Sequence, residues 1–594
     1  MDRLLAWMPG VRSMAEHPRL FFVRDVPAGL VLAAFAVPVS MAYASLAGLE
    51  PIHGLYASMA SLVAYALFGP SRHLIVGPDS STAPLVAAVV VPLALSDPAE
   101  RLALAGLLSL VVGAVLVLIG IVRLGFVTDL VAKPARIGFL NGVALTIVVS
   151  QLPRLLGLSV TGSDVASTVL ETAAALRNVV PLALAFGAGA LAVSLIAHLV
   201  APRAPGMLVA VVASTVLSAL TDAGARGVET VGAMPAGLPA LQLPRLAVDQ
   251  VGAVVAGAVS IAIVTLADGA VLSQSLADRT RASRPSPDEE AVALGVANLA
   301  SGLFHGFPVS ASMTRSAVNV GAGAVSQASG LVAAVFIGLM LVAAPGLLAD
   351  LPVPVLAAVA IVAAVQLANI AGMMRLFRLR RTEFALAVAS FVAVLALGVL
   401  SGVLVAVALS LLNFVRRQWR PHDAVLGRVP GVKGYHDTAD FPEAREVPGL
   451  MLYRFDAPLF FANARVFQER LRTRLSERPE SPRRVVFAAE PMTDVDTTAA
   501  DVLAETIRSL QEAGIEVGFA ELKHPVRERL ERYGIIDLVG EHMLFPTIGS
   551  AVHDHVARSG VAWVDWEEQE RSGSPGAGAE APGPDDGASG HTSR

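Results

Sequence analysis

Three ionisable side chains stand inside stretches otherwise fit for lipid. Asp79 follows a Gly-Pro break in RHLIVGPDSSTAPLVAAVV, which begins at Arg72. Arg315 follows a second Gly/Pro break in HGFPVSASMTRSAVNVGAG, from His305, and Asp268 stands within VTLADGAVL. A charged group at the bilayer centre costs about 2.5–3.5 kcal/mol on insertion scales and marks function by default. Paired Gly/Pro-interrupted segments in the two halves of a chain point to a binding site. If each segment is a half-helix starting inside the membrane, the unpaired N–H groups of the two would face each other there. Each such end carries roughly +0.5 charge and receives anions. Ser80, Ser81, Ser312 and Thr314 would add hydroxyl donors and Arg315 a full positive charge, which is chemistry for holding an anion. The spacing fits a repeat: Asp79 and Arg315 lie 236 residues apart, Ser40 and Asp268 228. Two plainer readings stay open. Asp79 could be satisfied by local amides in the first turn of its own half-helix, and Arg315 could be a structural counter-ion to Asp268. Asp268, with Leu266 and Val271 around it, has no polar company and reads as a functional carboxyl.

The elements that must position these groups belong in a membrane. Of 594 residues 54% are hydrophobic and 16% charged, against about 25% charged in an average soluble chain. About fourteen apolar segments recur between Leu30 and Phe414, several shorter than the ~20 residues of a straight span. With the N-terminus inside, the inner segments collect nineteen Arg and Lys and the outer loops five. That asymmetry predicts an even number of spans and a cytoplasmic C-terminus. Residues 1–24 read as a cytoplasmic N-terminus without a compact signal-peptide core, and 25–420 as the transmembrane unit.

After Arg420 strands alternate with helices. GLMLYRFDAPLFFANA reads as two short strands, RVFQERLRTRLSE, TTAADVLAETIRSLQEAG and PVRERLERYG as helices, and RRVVFAAE and IEVGFAEL as strands. This predicts a small α/β domain on a mainly parallel sheet over 421–566. The tail 567–594, rich in Gly, Pro and Ser, reads as disordered. The net charge of -5 argues against a nucleic-acid partner, and the absence of Cys excludes disulfides and thiolate metal sites. No HExxH-type pair occurs; His553 and His555, two apart in a polar helix, read as solvated surface. Neither a cofactor, a metal site nor a hydrolytic or redox constellation is expected, so the chain is not read as an enzyme.

VPAGLVLAAFAVPVSMAYASLAGLEPIHGLYAS, GPSRHLIVGPDSSTA, RLGFVTDLVAKPARIGFLNGVALTIVVSQL and EEAVALGVANLASGLFHGFPVSASMTRSAVN occur in that order. Together with the C-terminal α/β unit they resemble the SulP (sulfate permease) anion transporters, over about Phe21–Val556. The family includes prestin and pendrin among its animal members. The resemblance implies an α-helical polytopic membrane protein of about fourteen spans in two inverted seven-span repeats, with core and gate domains. It further implies a cytoplasmic STAS domain, a homodimer, and a strand-then-helix form for the two broken segments with substrate between them. Carried over by motif, Tyr43 in PVSMAYA lines the pocket, Asp79 occupies the variable position after Gly-Pro, Asp268 the acidic position, and Thr314-Arg315 the Ser/Thr-Arg pair. Two departures stand out. Val39 replaces a Gln common in the family. Leu272 stands four residues after Asp268, where a bicarbonate-transporting branch has the Thr of its sodium site, and this argues against Na⁺. In TDVDTT, Thr497 after Asp496 matches a phosphorylatable loop of related STAS proteins; the alternative is that both residues merely cap the following helix.

The charges suggest the coupling. Asp79 and Asp268 bring -2, Arg315 +1 and the anion -1 or -2, an excess that a protonated carboxyl relieves. Proton-coupled uptake of a small inorganic or carboxylate anion across the inner (cytoplasmic) membrane is therefore the expectation, with substrate held by Ser40, Tyr43, Asp79, Ser80, Ser312, Thr314 and Arg315, and Asp268 carrying the proton. A Na⁺-driven bicarbonate transporter and a membrane-anchored STAS regulatory module are the alternatives.

Overall fold

The computed structural model describes residues 8–15, 21–94, 97–125, 132–160, 162, 164–200, 206–242, 251–280 and 285–563. The expected tail 567–594 and part of the segment 1–24 lie outside them. The chain divides into two compact units, Met1–Leu411 and Leu412–Arg594.

The principal elements of the first unit repeat their order. The first set is α1 (Val26–Leu46), α2 (Pro51–Phe68), β1 (Val76–Gly77), α3 (Ala83–Leu93), α4 (Pro98–Ile121), α5 (Lys133–Leu155), α6 (Pro181–Val200) and α7 (Gly206–Thr221). The second is α8 (Val251–Thr280), α9 (Pro287–Leu303), β2 (Ser310–Ala311), α10 (Met313–Gly321), α11 (Ala328–Ala343), α12 (Val353–Leu367) and α13 (Arg381–Trp419). The last is two helices in one, because Gly398 takes φ 84°, ψ 168° inside it. Each of the fourteen apolar stretches thus contains a helix. Among the described residues seven are long and apolar enough to cross a membrane, or eight if the bent pair Val165–Asn178 and Pro181–Ala197 counts as one span. The shorter helices include α3 and α10, the broken segments.

Helices α1, α2, α4, α8, α9 and α11 pack on one another, with α2 against β1 and α8 against β2, while α5, α6, α7 and α12 form a second group. Without a hydrophobic driving force in lipid, small residues let membrane helices approach. A Cβ on Gly113 would come 2.8 Å from the Gly295 carbonyl oxygen, and one on Gly302 2.6 Å from that of Gly106. The heptad spacing of Gly106, Gly113 and Gly120 puts all three on the face of α4 that meets α9. Likewise Gly138 and Gly142 of α5 lie against Ala387 and Val394 of α13.

The second unit is a six-stranded sheet in the order β4-β3-β5-β6-β7-β8. Its strands are β3 (Asp423–Arg428), β4 (Tyr435–Asp437), β5 (Leu450–Phe455), β6 (Arg484–Ala488), β7 (Glu516–Ala520) and β8 (Leu544–Phe545). β5 to β8 run parallel, and β3 is antiparallel to both its neighbours. The longer helices are α14 (Ala464–Ser476), α15 (Thr497–Glu512), α16 (His524–Arg532) and α17 (Ile548–Ser559), with a short helix at Ile535–Val539. Two sequence readings need correction. GLMLYRFDAPLFFANA holds one strand, because after Phe455 the chain turns through Asp456 and Pro458, and Leu459 forms only an isolated bridge to Val495. His553 is exposed, but His555 is buried with Ala551 and Val552 on the inner face of α17, where its Nε2 lies 3.1 Å from the Pro448 carbonyl oxygen.

Candidate functional site

Gly69-Pro70 ends α2, and Leu74–Gly77 then runs extended and buried; Phe307-Pro308 does the same before Ser310. Irregular backbone at membrane depth is tolerated only where its polar groups find partners within the protein, and here they do. β1 and β2 pair antiparallel, Val76 with Ala311 and Gly77 with Ser310. The Ser312 N–H donates to the Ile75 carbonyl (3.0 Å), and the Ile75 N–H to Ser316 Oγ (2.9 Å). Ser61 Oγ donates to the Val76 carbonyl (3.2 Å) and Ser301 Oγ to that of Phe307 (2.7 Å). Asn298 brackets Val309, donating to its carbonyl and accepting from its N–H, each at 3.0 Å. Each repeat therefore carries a strand-then-helix segment, paired with its counterpart, as the resemblance implied.

Arg315 lies in the first turn of α10 and is 1% exposed. Its guanidinium reaches across the strand pair, where Nη2 donates to the Pro78 carbonyl oxygen at 2.5 Å. Gly77 makes the room: a Cβ there would stand 2.5 Å from Nη1. Nε has no hydrogen-bond partner, and among the described residues no carboxylate comes within 4 Å of the group. A buried guanidinium with five donors, one hydrogen bond and no paired anion is incomplete, since a buried charge is stable only when paired and hydrogen-bonded.

The other expected residues divide. Tyr43, Asp79, Ser80 and Ser312 are buried with Arg315, and the Tyr43 ring lies beside Ser80 within electrostatic reach of Asp79 and Arg315. No side chain caps the N-terminus of α10. Asp79 Oδ2 accepts from both the N–H (3.1 Å) and the hydroxyl (3.0 Å) of Ser81, so its carboxylate is satisfied in its own turn, the plainer of the two readings. Ser40 Oγ pairs with Ser58 Oγ on α2 at 2.6 Å. Thr314, half-buried, turns to Gln366 Oε1 on α12 at 3.3 Å. Val39 is buried at 6% exposure. Asp268 is not the counter-ion of Arg315. It is half-buried, lies against Ser81, and its nearest cation is Arg136 on α5. The two line a cleft between α5, α8 and α13. Sequence reasoning counted Arg136 only as an inner loop charge and did not single out Ser58, Ser61, Asn298, Ser316 or Gly77. The Gly77-Pro78 dipeptide was a visible break, but its meeting with Arg315 was not.

In the second unit Asp496 Oδ1 accepts from the Ala499 N–H (2.7 Å) and Oδ2 from the Phe461 N–H (2.8 Å), while Thr497 is exposed in the first turn of α15.

Comparison with known proteins decides the family. The profile described as "Sulfate permease family" matches residues 22–390, and that of the STAS domain residues 441–551. The chain belongs to the sulfate permease family. It is 41% identical over 546 residues to a probable sulfate transporter of Mycobacterium tuberculosis, covering 92% of this chain and 97% of that one. Murine solute carrier 26 family member A9, an anion transporter solved in the inward-facing state, has the same fold (TM-score 0.86, 21% identity, covering 94% and 95% of the two chains). The transmembrane domain of a cyanobacterial bicarbonate transporter aligns with a TM-score of 0.58 at 26% identity, over 64% of this chain and 96% of its own. The permease is accordingly a multi-pass membrane anion transporter with a cytoplasmic C-terminal STAS domain, and not an enzyme.

Proposed function

We propose that this chain is a secondary active transporter of a small anion, sulfate-like, bicarbonate or a dicarboxylate, coupled to protons and working by alternating access in the inner membrane. The single observation that carries the reading is Arg315: fully buried, hydrogen-bonded once, unpaired, and set where two half-helices begin. An oxyanion there would complete its donors, with Tyr43, Ser80 and Ser312 around it. Sulfate is favoured among anions by the relatives' description, and Leu272 in place of a threonine speaks against a sodium-driven bicarbonate cycle. Asp268 is assigned the proton, Asp496 and Thr497 a possible regulatory modification. The functional boundaries are taken as 1–24, 25–420, 421–566 and 567–594, with the N-terminus cytoplasmic. A homodimer rests on the family resemblance.

The test is uptake of radiolabelled sulfate into proteoliposomes, with competing anions, by wild type and Arg315→Gln. Wild type should concentrate sulfate, and the variant should lose at least tenfold in rate while remaining monodisperse. Normal uptake by Arg315→Gln would make the arginine structural only.

A further inference from the structure

We propose that the helix Ile370–Leu379, between α12 and α13, lies in the cytoplasmic surface of the membrane and holds anionic phospholipid headgroups on its arginines. At 10 residues it is too short to span, and its sides differ. With about 100° of turn per residue, its surface divides into three stripes. Gly372, Met373 and Leu376 are half-buried and face the protein. Ile370, Met374 and Phe377 form the second stripe and are 69%, 49% and 53% exposed. Arg375 and Arg378 form the third, with both side chains exposed. Leu379, where the chain turns into α13, lies off the apolar stripe. An exposed apolar stripe beside a basic one is the pattern of a helix lying in a membrane surface, its apolar side in the acyl boundary. With Arg380 and Arg381, four arginines stand within seven residues, and basic clusters of this size on an amphipathic helix attract anionic lipid. Arg380 turns to Glu383 at 3.4 Å. The exposed side chains of Arg375, Arg378 and Arg381 make no hydrogen bond or ion pair among the described residues. Each guanidinium matches two oxygens of a phosphodiester.

The side of the membrane follows from α13. Its two halves double back at Gly398, so that a Cβ on Gly402 would stand 2.7 Å from the Val394 Cα. The Arg381 end of α13 therefore lies on the same side as its Trp419 end, which leads into the cytoplasmic STAS domain. The short helix is fixed at both ends. Asn369 Oδ1 accepts from the Gly372 N–H at 2.7 Å, and the Asn369 N–H donates to Asn141 Oδ1 of α5 at 2.9 Å. Phe377 meets Phe384 of α13 edge to face, with ring centres 5.1 Å apart. Lipid held on this helix would hold α5 and its group of helices at the membrane surface while the other group moves. That consequence, unlike the lipid site itself, rests on the alternating-access reading above.

The first test needs no transport. Native mass spectrometry of the full chain in detergent should show phosphatidylglycerol bound at least tenfold more tightly than phosphatidylcholine with the same acyl chains. The double variant Arg375→Gln/Arg378→Gln should bring the two lipids within twofold of each other. Arg375→Lys/Arg378→Lys should keep most of the preference, because lysine also binds phosphate, as a point charge. Arg177→Gln/Arg226→Gln, which removes two exposed arginines of other loops, should keep all of it. Inorganic phosphate should not displace the lipid. Equal binding of both lipids by the parent, or a preference untouched by the Gln pair, overturns the proposal. An equal loss in Arg177→Gln/Arg226→Gln overturns it too, and displacement by phosphate would make the cluster a soluble-anion site instead. In proteoliposomes, replacing a third of the phosphatidylcholine by phosphatidylglycerol should raise sulfate uptake at least threefold in wild type and leave the Gln pair unchanged. An equal response in the Gln pair overturns the role of this helix in transport. Absence of uptake in every lipid would overturn the transport reading, while the lipid preference of the purified chain would still stand.

Discussion

Arg315 Nη2 and the carbonyl oxygen of Pro78 meet at 2.5 Å, so the arginine of the second repeat is held by the broken segment of the first. The contact uses a carbonyl that no helix can satisfy, because Pro78 lies between β1 and α3. It is the one side-chain hydrogen bond of Arg315 among the described residues, and it leaves Nε without a partner. The contact joins the two interrupted segments, which lie far apart in sequence.

Gly77→Ala should therefore disable the site without touching a charge. The new Cβ would fall 2.5 Å from Nη1, and since neither β1 nor Arg315 can move within a close-packed core, the guanidinium must leave Pro78. Sulfate uptake should fall at least tenfold with membrane insertion intact. Uptake within twofold of wild type would show that the position of Arg315 is not set by Gly77.

The STAS loop yields a stability prediction. Asp496 ties the start of α15 to the Phe461 N–H as well as to Ala499. Loss of a helix cap costs about 0.5–2 kcal/mol, and a second acceptor is lost with it. Asp496→Ala should increase proteolysis of the STAS unit at Phe461 and α15, Asp496→Asn should do so less, and Thr497→Ala should be silent. A transport phenotype in Thr497→Ala with unchanged proteolysis would support a regulatory hydroxyl instead.

His555 gives a pH dependence. Burial lowers its proton affinity below the ordinary histidine range, and the contact with the Pro448 carbonyl only partly offsets that. The unfolded chain, with a pKa of about 6.5, then binds more protons than the folded one as pH falls below that value. Stability rises with pH wherever the unfolded state holds more protons, so this contribution is present above about pH 6.5 and declines below it. Amide protection of Ile548–Ser559 in the full chain, corrected for intrinsic exchange, should fall between pH 7.5 and 5.5. His555→Gln should flatten the dependence, and an identical slope in that variant would assign it elsewhere.

Much of this was legible in the sequence. The apolar segments and their Gly-Pro interruptions locate the helices because lipid leaves the backbone few alternatives. Even the division of α13 near Gly398 shows as two segments. Short strands were harder. β3 begins four residues after the last membrane helix, behind Pro421, and GLMLYRFDAPLFFANA holds one strand although the apolar residues after Pro458 look like a second, because Leu459 there only bridges Val495. His555 is buried because it shares a helical face with Ala551 and Val552, a pattern the polar composition of the helix hides. Within the site, Arg315, Tyr43, Asp79, Ser80 and Ser312 follow from motif and type. The hydroxyls of Ser40 and Thr314 are instead used by Ser58 and Gln366. Arg136 could not be found, since its meeting with Asp268 is a fact of packing between two helices and no local pattern encodes it.

Arg136 also changes the charge argument for coupling, and this is the sharpest prediction. Asp79 and Asp268 are now balanced by Arg315 and Arg136, so the unloaded site is neutral and nothing in it demands a proton. A divalent anion changes that, leaving an excess of two negative charges in a region where desolvation penalises ions. A proton carried on Asp268 with each anion would halve the excess and yield a load able to cross with the moving domain. A monovalent anion leaves half as much excess and should need the proton less. Asp268→Asn should bind sulfate but lose the response of uptake to an inward proton gradient, leaving at most exchange. Uptake of sulfate and of nitrate at matched outer pH, with and without the gradient, separates the cases for wild type and variant. Wild type should show a larger gradient effect for sulfate than for nitrate, and Asp268→Asn none for either. If the variant still concentrates sulfate in response to the gradient, the proton travels elsewhere, and Asp79, despite its bonds to Ser81, becomes the carboxylate to test.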